Sequence, residues 1–517
     1  MMVQMTQDAA LLAVPDRSLS SAHMQLGRAG WAARYYGAYD RARVLRIADA
    51  VAQAAFERAA HYAEWAVRET GFGVAAHKTL KNELSARAVL AHYRDLDLIT
   101  PRLDAEKKLL ELPKPAGVVF ALTPATNPVA TIYYKTLLAI LSRNAIVFSP
   151  HPSAKAVCTD AANYLAHIAE SAGAPAGLIQ CIANPSVPLV QTIMASDKVA
   201  VILATGGSAM VRAAYSSSNP ALGVGPGNGV AYIDPSAHVD RAARCLVESK
   251  SFDNSVLCTN ESVALTLESH RGNVERALRT AGAHVCNAQE TARLRDYLFT
   301  DAGFNLQAIG KSAVWIADQV GLRVSRNTRV LVPVVAEPGR DDALFKEKLC
   351  PVLTLTAALD FQQAVTFAKQ VAARGAGHSA AFHGQDEARL LHYARDMPVY
   401  RVVVNAPCAQ GASGFATWLP PTFMVGTGFK GRSSVDENVG PQHLVHWTRV
   451  AYNKDATVPF GAFDAQLLHT VHSTTLPVDA PVVAAPGAPV SAASVVDRDL
   501  LRQLILEEIQ GLGRQHP

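Results

Sequence analysis

The chain has 517 residues, is 49% hydrophobic and 18% charged, and carries a net charge of +4 from 48 basic and 44 acidic residues. This is a globular composition for two or three domains, and so even a balance excludes nucleic acid and anionic membrane as expected partners. Seven scattered cysteines without a Cys-x-x-Cys pair exclude a disulfide scaffold and a zinc site, and fit reduced thiols in a cytosol.

Residues 1–25 read as irregular. Asp8 and Asp16 stand where a secretory signal would have a basic start, and no apolar run approaches the roughly 18 residues that cross a bilayer, so a cytoplasmic location is expected. Val44, Ile47, Ala48, Val51 and Ala55 make one apolar helical stripe, Tyr62, Trp65, Ala66 and Glu69 continue onto a second helix, and Gly71 and Gly73 end it. A further helix is expected over 76–95, and an arm or edge segment over 101–115. From Gly117 short Val/Ile-rich runs alternate with helices: strands at 117–123, 144–149, 178–183 and 198–205, helices at 129–141, 155–172, 187–195 and 208–217. This alternation predicts a parallel sheet covered on both faces, with ligands at the carboxyl ends of its strands. The same rhythm resumes after Cys258, with strands expected at 261–267, 312–317, 329–335, 352–358, 379–384 and 400–407 and helices at 271–281 and 361–373.

The tail differs in kind. Residues 471–495 include a Pro/Ala/Val-rich stretch without periodicity and read as a linker. Residues 496–513 read as an amphipathic helix, with Asp497 as N-cap and an apolar stripe through Leu500, Leu501, Leu504, Ile505, Ile509 and Leu512. A short tethered helix cannot bury such a stripe alone and is expected to dock onto something.

Seven stretches in order resemble the aldehyde dehydrogenase superfamily, and more narrowly its CoA-acylating branch. They are ALTPATNPVAT (121–131), RNAIVFSPHPSAK (143–155), LATGGSAMVRAAYSS (203–217), ALGVGPGN (221–228), FDNSVLCTNE (252–261), EKLCPVL (347–353) and SVDENVGPQHL (434–444). The resemblance implies an α/β fold of two Rossmann-like domains with a β-arm for oligomerisation into a homodimer or homotetramer. The expected divisions are a dinucleotide-binding domain over 1–245, a catalytic domain over 246–435, and an arm with the end of the core over 436–470.

It further implies that Cys258 is the nucleophile and Asn127 an oxyanion donor. Thr123, Pro124, Ser149, His151, Thr205, Gly206, Gly207, Ser208 and Gly225 would face an NAD or NADP cofactor whose nicotinamide ribose Glu347 would hold. Chemistry agrees in part. Attack of a thiolate on an aldehyde places charge on the carbonyl oxygen, which a side-chain amide and the Cys258 N–H could hold. Backbone N–H groups of Thr205-Gly206-Gly207-Ser208, at a strand-to-helix turn, suit a pyrophosphate. Ser149-Pro150-His151 stands where many hydrolytic members have a lysine, so NAD versus NADP stays open. His378 matches a histidine of the acylating branch, with CoA-thiol deprotonation, CoA-phosphate contact and a structural role as its alternatives.

One departure bears on the reaction. Gly223 stands where hydrolytic members carry the glutamate that activates water. Without that base an acyl-enzyme should persist until a thiol attacks, and coenzyme A brings one. The expected reaction oxidises a short aldehyde to acyl-CoA. Its rivals are a hydrolytic dehydrogenase, an acylating enzyme for a substituted aldehyde such as sulfoacetaldehyde, and a non-catalytic scaffold. Phe415, Trp418 and Phe423 are expected near the substrate tunnel. The tail resembles the encapsulation peptides that dock enzymes to bacterial microcompartment shells, which makes a shell protein a candidate partner and a microcompartment interior an alternative location. No metal is expected.

Overall fold

Short runs that are apolar on both sides form the strands, because only a strand covered by helices on each face buries every side chain. The computed structural model describes residues 16–301, 303–336, 342–464 and 468. Its strands are β1 (Arg102–Asp104), β2 (Leu109–Pro115), β3 (Val118–Thr123), β4 (Ala145–Pro150), β5 (Ile179–Cys181), β6 (Val201–Thr205), β7 (Ala221–Val224), β8 (Gly229–Ile233), β9 (Glu261–Leu267), β10 (Ala283–Val285), β11 (Phe299–Thr300), β12 (Gly303–Phe304), β13 (Val330–Val332), β14 (Thr354–Ala358), β15 (Ala380–His383), β16 (Val402–Val404) and β17 (Val445–Ala451).

Two five-stranded parallel sheets result, in the orders β5-β4-β3-β6-β7 and β14-β9-β8-β15-β16. In the first, the order runs outward from β3 on one side and from β6 on the other, so a crevice opens at the carboxyl ends of those two strands. Helix Pro128–Leu141 is buried along its whole length against this sheet. Its Lys135 donates to the carbonyls of Leu122 (2.7 Å) and Leu203 (3.0 Å), tying β3 to β6 beneath the crevice.

The chain crosses to the second sheet at Gly225–Asn228, so β8 belongs there although it precedes residue 245, the expected division. Close to the crossing, a Cβ on Gly227 would lie 1.9 Å from the carbonyl oxygen of Cys258. Only glycine allows the two backbones to approach so closely. A three-stranded antiparallel sheet, β1-β2-β17, joins residues 102–115 to 445–451.

Two expectations are corrected. Residues 312–317, expected as a strand, form helix Ala313–Gln319. Ser312 caps it by accepting the Trp315 N–H at 3.2 Å, and Ala313, Ile316 and Ala317 are its buried face. A short apolar run has no decisive period, and the cap and the i, i+3, i+4 burial decide. The N-terminal stretch expected to be irregular to residue 25 is helical from Asp16 to Tyr36. Gly27 and Gly30 disguise it, yet Ala22, Leu26, Ala29, Ala33 and Tyr36 pack it onto the first sheet's core. The linker and tail helix expected over 471–513 lie outside the described residues. Among the described residues no helix is long and apolar enough to cross a membrane.

Candidate active site

The turns at the carboxyl edge of the first sheet and those at the amino edge of the second face one cavity of about 530 Å3. Thr123, Pro124, Asn127, Ser149, His151, Thr205, Gly206, Gly207, Gly225, Cys258 and Glu347 all line it. Ser208 and His378 do not. Ser208 opens helix Ser208–Tyr215 beside the cavity. His378 is buried before β15, its Nε2 without a partner among the described residues, and burial pulls its pKa down to about 3. Phe423 lines the cavity and Phe415 packs on it with ring centroids 5.6 Å apart, whereas Trp418 is fully exposed and does not line the cavity.

Cys258 sits three residues before β9, on a turn that is held from several sides. Leu257 N–H donates to Asn260 Oδ1 (2.8 Å) and Thr259 Oγ1 to Ala409 O (3.0 Å). Behind it Glu261 is buried, accepting from Ser249 Oγ and from the Cys408 N–H at 3.1 Å, and burial pushes its carboxyl up to about 7. The approach to the turn is strained: Asp253, Asn254 and Ser255 have φ of 50°, 51° and 66°. Left-handed backbone costs about 1–3 kcal/mol per non-glycine residue and persists only where surrounding bonds impose it. Here Asp253 Oδ1 accepts the Val74 N–H (2.7 Å), Asp253 N–H donates to His77 Nδ1 (2.9 Å), and Asn254 Nδ2 donates to Gly310 O (2.9 Å).

Sequence reasoning missed the ionic cluster that completes this clamp. Lys78 and Lys81, both buried on helix Ala75–Tyr93, donate from Nζ to Asp253 Oδ2, Lys78 at 2.9 Å. Burial raises the Asp253 carboxyl, but the two lysines outweigh it and hold the group below its ordinary value. Burial pulls Lys81 down to about 7 against the upward pull of Asp253. The one available signal was two lysines at i, i+3 on a helix face shared with Asn82, Ser85 and Val89.

Burial pushes the Cys258 thiol up to about 12, and the neighbouring Glu347 acts in the same direction. Glu347 is itself pushed up to about 8 by burial, with Lys250 and the Gly227 N–H opposing. Among the described residues it is the sole carboxylate lining the cavity, and no lysine or arginine lines it. At Gly223 a Cβ would fall 2.7 Å from Tyr215 Cε2 and from Val211 Cγ1, so the space beside it is filled by side chains. Tyr215 OH accepts the Gly223 N–H (2.9 Å) and the Ser434 N–H (3.0 Å), and so fixes the filling ring.

The edge of the first sheet fits a dinucleotide. Thr123 Oγ1 and Thr205 Oγ1 are buried there without partners among the described residues, and a Cβ on Gly207 would meet nothing within 4 Å. Free hydroxyls and an open glycine turn before a helix start are donors awaiting an anionic or hydroxylated group.

Residues 7–293 match the model of the aldehyde dehydrogenase family. The chain is 34% identical over 426 residues to the succinate-semialdehyde dehydrogenase (acetylating) of Clostridium kluyveri, covering 82% of this chain and 94% of that one. An acetylating aldehyde dehydrogenase from Geobacillus thermoglucosidasius superposes with a TM-score of 0.83 at 35% identity, over 86% of this chain and 98% of that one. A propionaldehyde dehydrogenase from the fucose utilisation bacterial microcompartment of Clostridium phytofermentans gives 0.77 at 25% identity, over 84% and 98%. The chain spans about half the length of other curated relatives, such as the aldehyde-alcohol dehydrogenase of Clostridium acetobutylicum, 35% identical over 432 residues, 82% of this chain and 50% of that one.

Proposed function

From the premise that this chain belongs to the aldehyde dehydrogenase family, we propose that it is a CoA-acylating aldehyde dehydrogenase, oxidising a short aldehyde to acyl-CoA with NAD(P)+. One observation carries the acylating reading: among the described residues the cavity that holds the Cys258 thiol offers a single carboxylate, Glu347, and the space at Gly223 is filled by Tyr215 and Val211. With Glu347 engaged by the nicotinamide ribose, a thioester on Cys258 meets no second lining carboxylate among the described residues to activate water, and a thiol nucleophile is needed to release it.

The chain's residues divide the work as follows. Cys258 sulfur adds to the aldehyde carbon, its proton being released. Asn127 Nδ2 and the Cys258 N–H hold the oxyanion, each donor contributing roughly 3 kcal/mol to lowering the barrier. The nicotinamide dinucleotide, when bound, supplies the two-electron acceptor that turns the thiohemiacetal on Cys258 into a thioester. Thr123, Thr205 and the Gly206-Gly207 turn bind that group, and Glu347 holds its ribose. CoA thiolate displaces Cys258, so aldehyde, NAD(P)+ and CoA-SH give acyl-CoA, NAD(P)H and a proton. The lack, among the described residues, of a cavity-lining lysine or arginine favours an uncharged aldehyde over a sulfonated one, and NAD+ over its 2′-phosphorylated form.

Reduced cofactor is followed with acetaldehyde, propionaldehyde and sulfoacetaldehyde, with and without CoA. Sustained turnover is expected only with CoA, to acyl-CoA. Free acid at the same rate without CoA overturns the reading in favour of hydrolysis.

The 496–513 segment is assigned to shell docking on its amphipathic stripe and its Pro/Ala tether. Deleting 495–517 is expected to leave activity intact and abolish co-purification with microcompartment shells; retained co-purification overturns that assignment.

A further inference from the structure

Asn127 occupies the N-cap position of helix Pro128–Leu141, the position at which an asparagine side chain ordinarily accepts an N–H of the first turn. It makes no such bond. Its Oδ1 instead accepts from Lys81 Nζ at 2.5 Å. Protonated beside the Asp253 carboxylate, Lys81 offers only donors, and the amide atom facing it is the oxygen. That settles which way the amide points. Its Nδ2 is then directed elsewhere, and its contacts there are long: 3.3 Å to Thr126 Oγ1 and 3.4 Å to Val256 O. Bonds of that length are weak and leave the amide hydrogens available to a stronger acceptor. Lys81 is in turn held by Asp253, on the strained turn that leads to Cys258, while Lys78 joins Asp253 to Thr126 O at 3.0 Å.

We propose that Lys81 is a positioning residue for the reaction: by donating to Asn127 Oδ1 it fixes the amide with Nδ2 toward the substrate oxygen, and its charge polarises that amide as a donor. The proposal rests on the oxyanion reading of Asn127. It joins two parts of the site through one side chain, because the ammonium that aims the donor also bonds Asp253, which Lys78 and the Val74 N–H hold in place as well. A hydrogen bond from a charged donor draws electron density toward Oδ1 and makes the N–H groups across the amide stronger donors.

The test is a double-mutant cycle on the full chain with Lys81→Met, Asn127→Ala and the pair, read as kcat and KM for propionaldehyde with NAD+ and CoA. Iodoacetamide modification of Cys258 is measured in parallel by peptide mass. Lys81→Gln replaces Lys81→Met in the cycle if the latter does not fold. Asn127→Ala is expected to lower kcat about 10²–10³-fold. Lys81→Met is expected to lower it about 10–100-fold with KM and the alkylation rate within about threefold of wild type, and the pair to be no worse than Asn127→Ala alone. Multiplicative losses, an unchanged kcat, or alkylation falling in step with kcat overturns the role given to Lys81. Asn127→Ala within twofold of wild type removes the oxyanion reading itself, a different result.

Discussion

The two sheets have the same size and the same parallel construction, yet they meet the cavity with opposite ends. The first presents its carboxyl edge, built from small residues and spare donors: Thr123, Thr205, Gly206 and Gly207. The second presents its amino edge, where Cys258 stands on a turn backed by buried Asp253, Glu261 and Lys250. On the proposed reading, the hydroxyls of the first edge that no described residue satisfies are kept for a ligand. On the same reading the second edge is tied down because a nucleophile displaced by a fraction of an ångström loses its alignment.

The sharpest way to break this contrast is through the thiol. Because burial holds Cys258 near 12, its thiolate fraction should rise about tenfold per pH unit, so alkylation of the free enzyme should grow about 10³-fold from pH 7 to pH 10. A plateau below pH 9 would show an activated thiol and an edge less closed than described. Asp253→Ala comes next. It leaves Lys78 and Lys81 facing each other uncompensated, and should cost about 3–5 kcal/mol in denaturant unfolding. A loss under 1 kcal/mol would mean that the strained turn holds without its clamp.

Gly223→Glu tests whether the missing base is a vacancy or a filled space. With Tyr215 and Val211 at 2.7 Å, the change should cost about 1–3 kcal/mol of stability and should not create acid release without CoA. Acid release at wild-type stability would contradict the packing described. The smallest effect belongs to the binding edge. Thr205→Val removes a hydroxyl that no described residue satisfies, so stability should hold while NAD+ binding weakens by about 0.5–1.5 kcal/mol. A fall in melting temperature with unchanged NAD+ affinity would place that hydroxyl in the protein's own framework.

Much of this was legible in the chain. The Val/Ile runs at 118–123, 145–150 and 261–267 carried both sheets, and the stretch around Cys258 marked a turn that the structure places on the cavity, because burial on both faces and a turn before a strand leave marks on adjacent residues. Glycine at 223 was equally visible, and with it the absence of a water-activating acid. Only the tertiary structure decided that Tyr215 closes that space, that residues 313–319 coil rather than extend, and that Lys81 bonds Asn127 Oδ1. Those outcomes depend on partners far apart in the chain: Asp253 lies 172 residues from Lys81, and Ser434 lies 219 from Tyr215. A lone lysine or tyrosine looks like solvated surface until folding removes the water around it. Only then does its charge or hydroxyl have to find a partner.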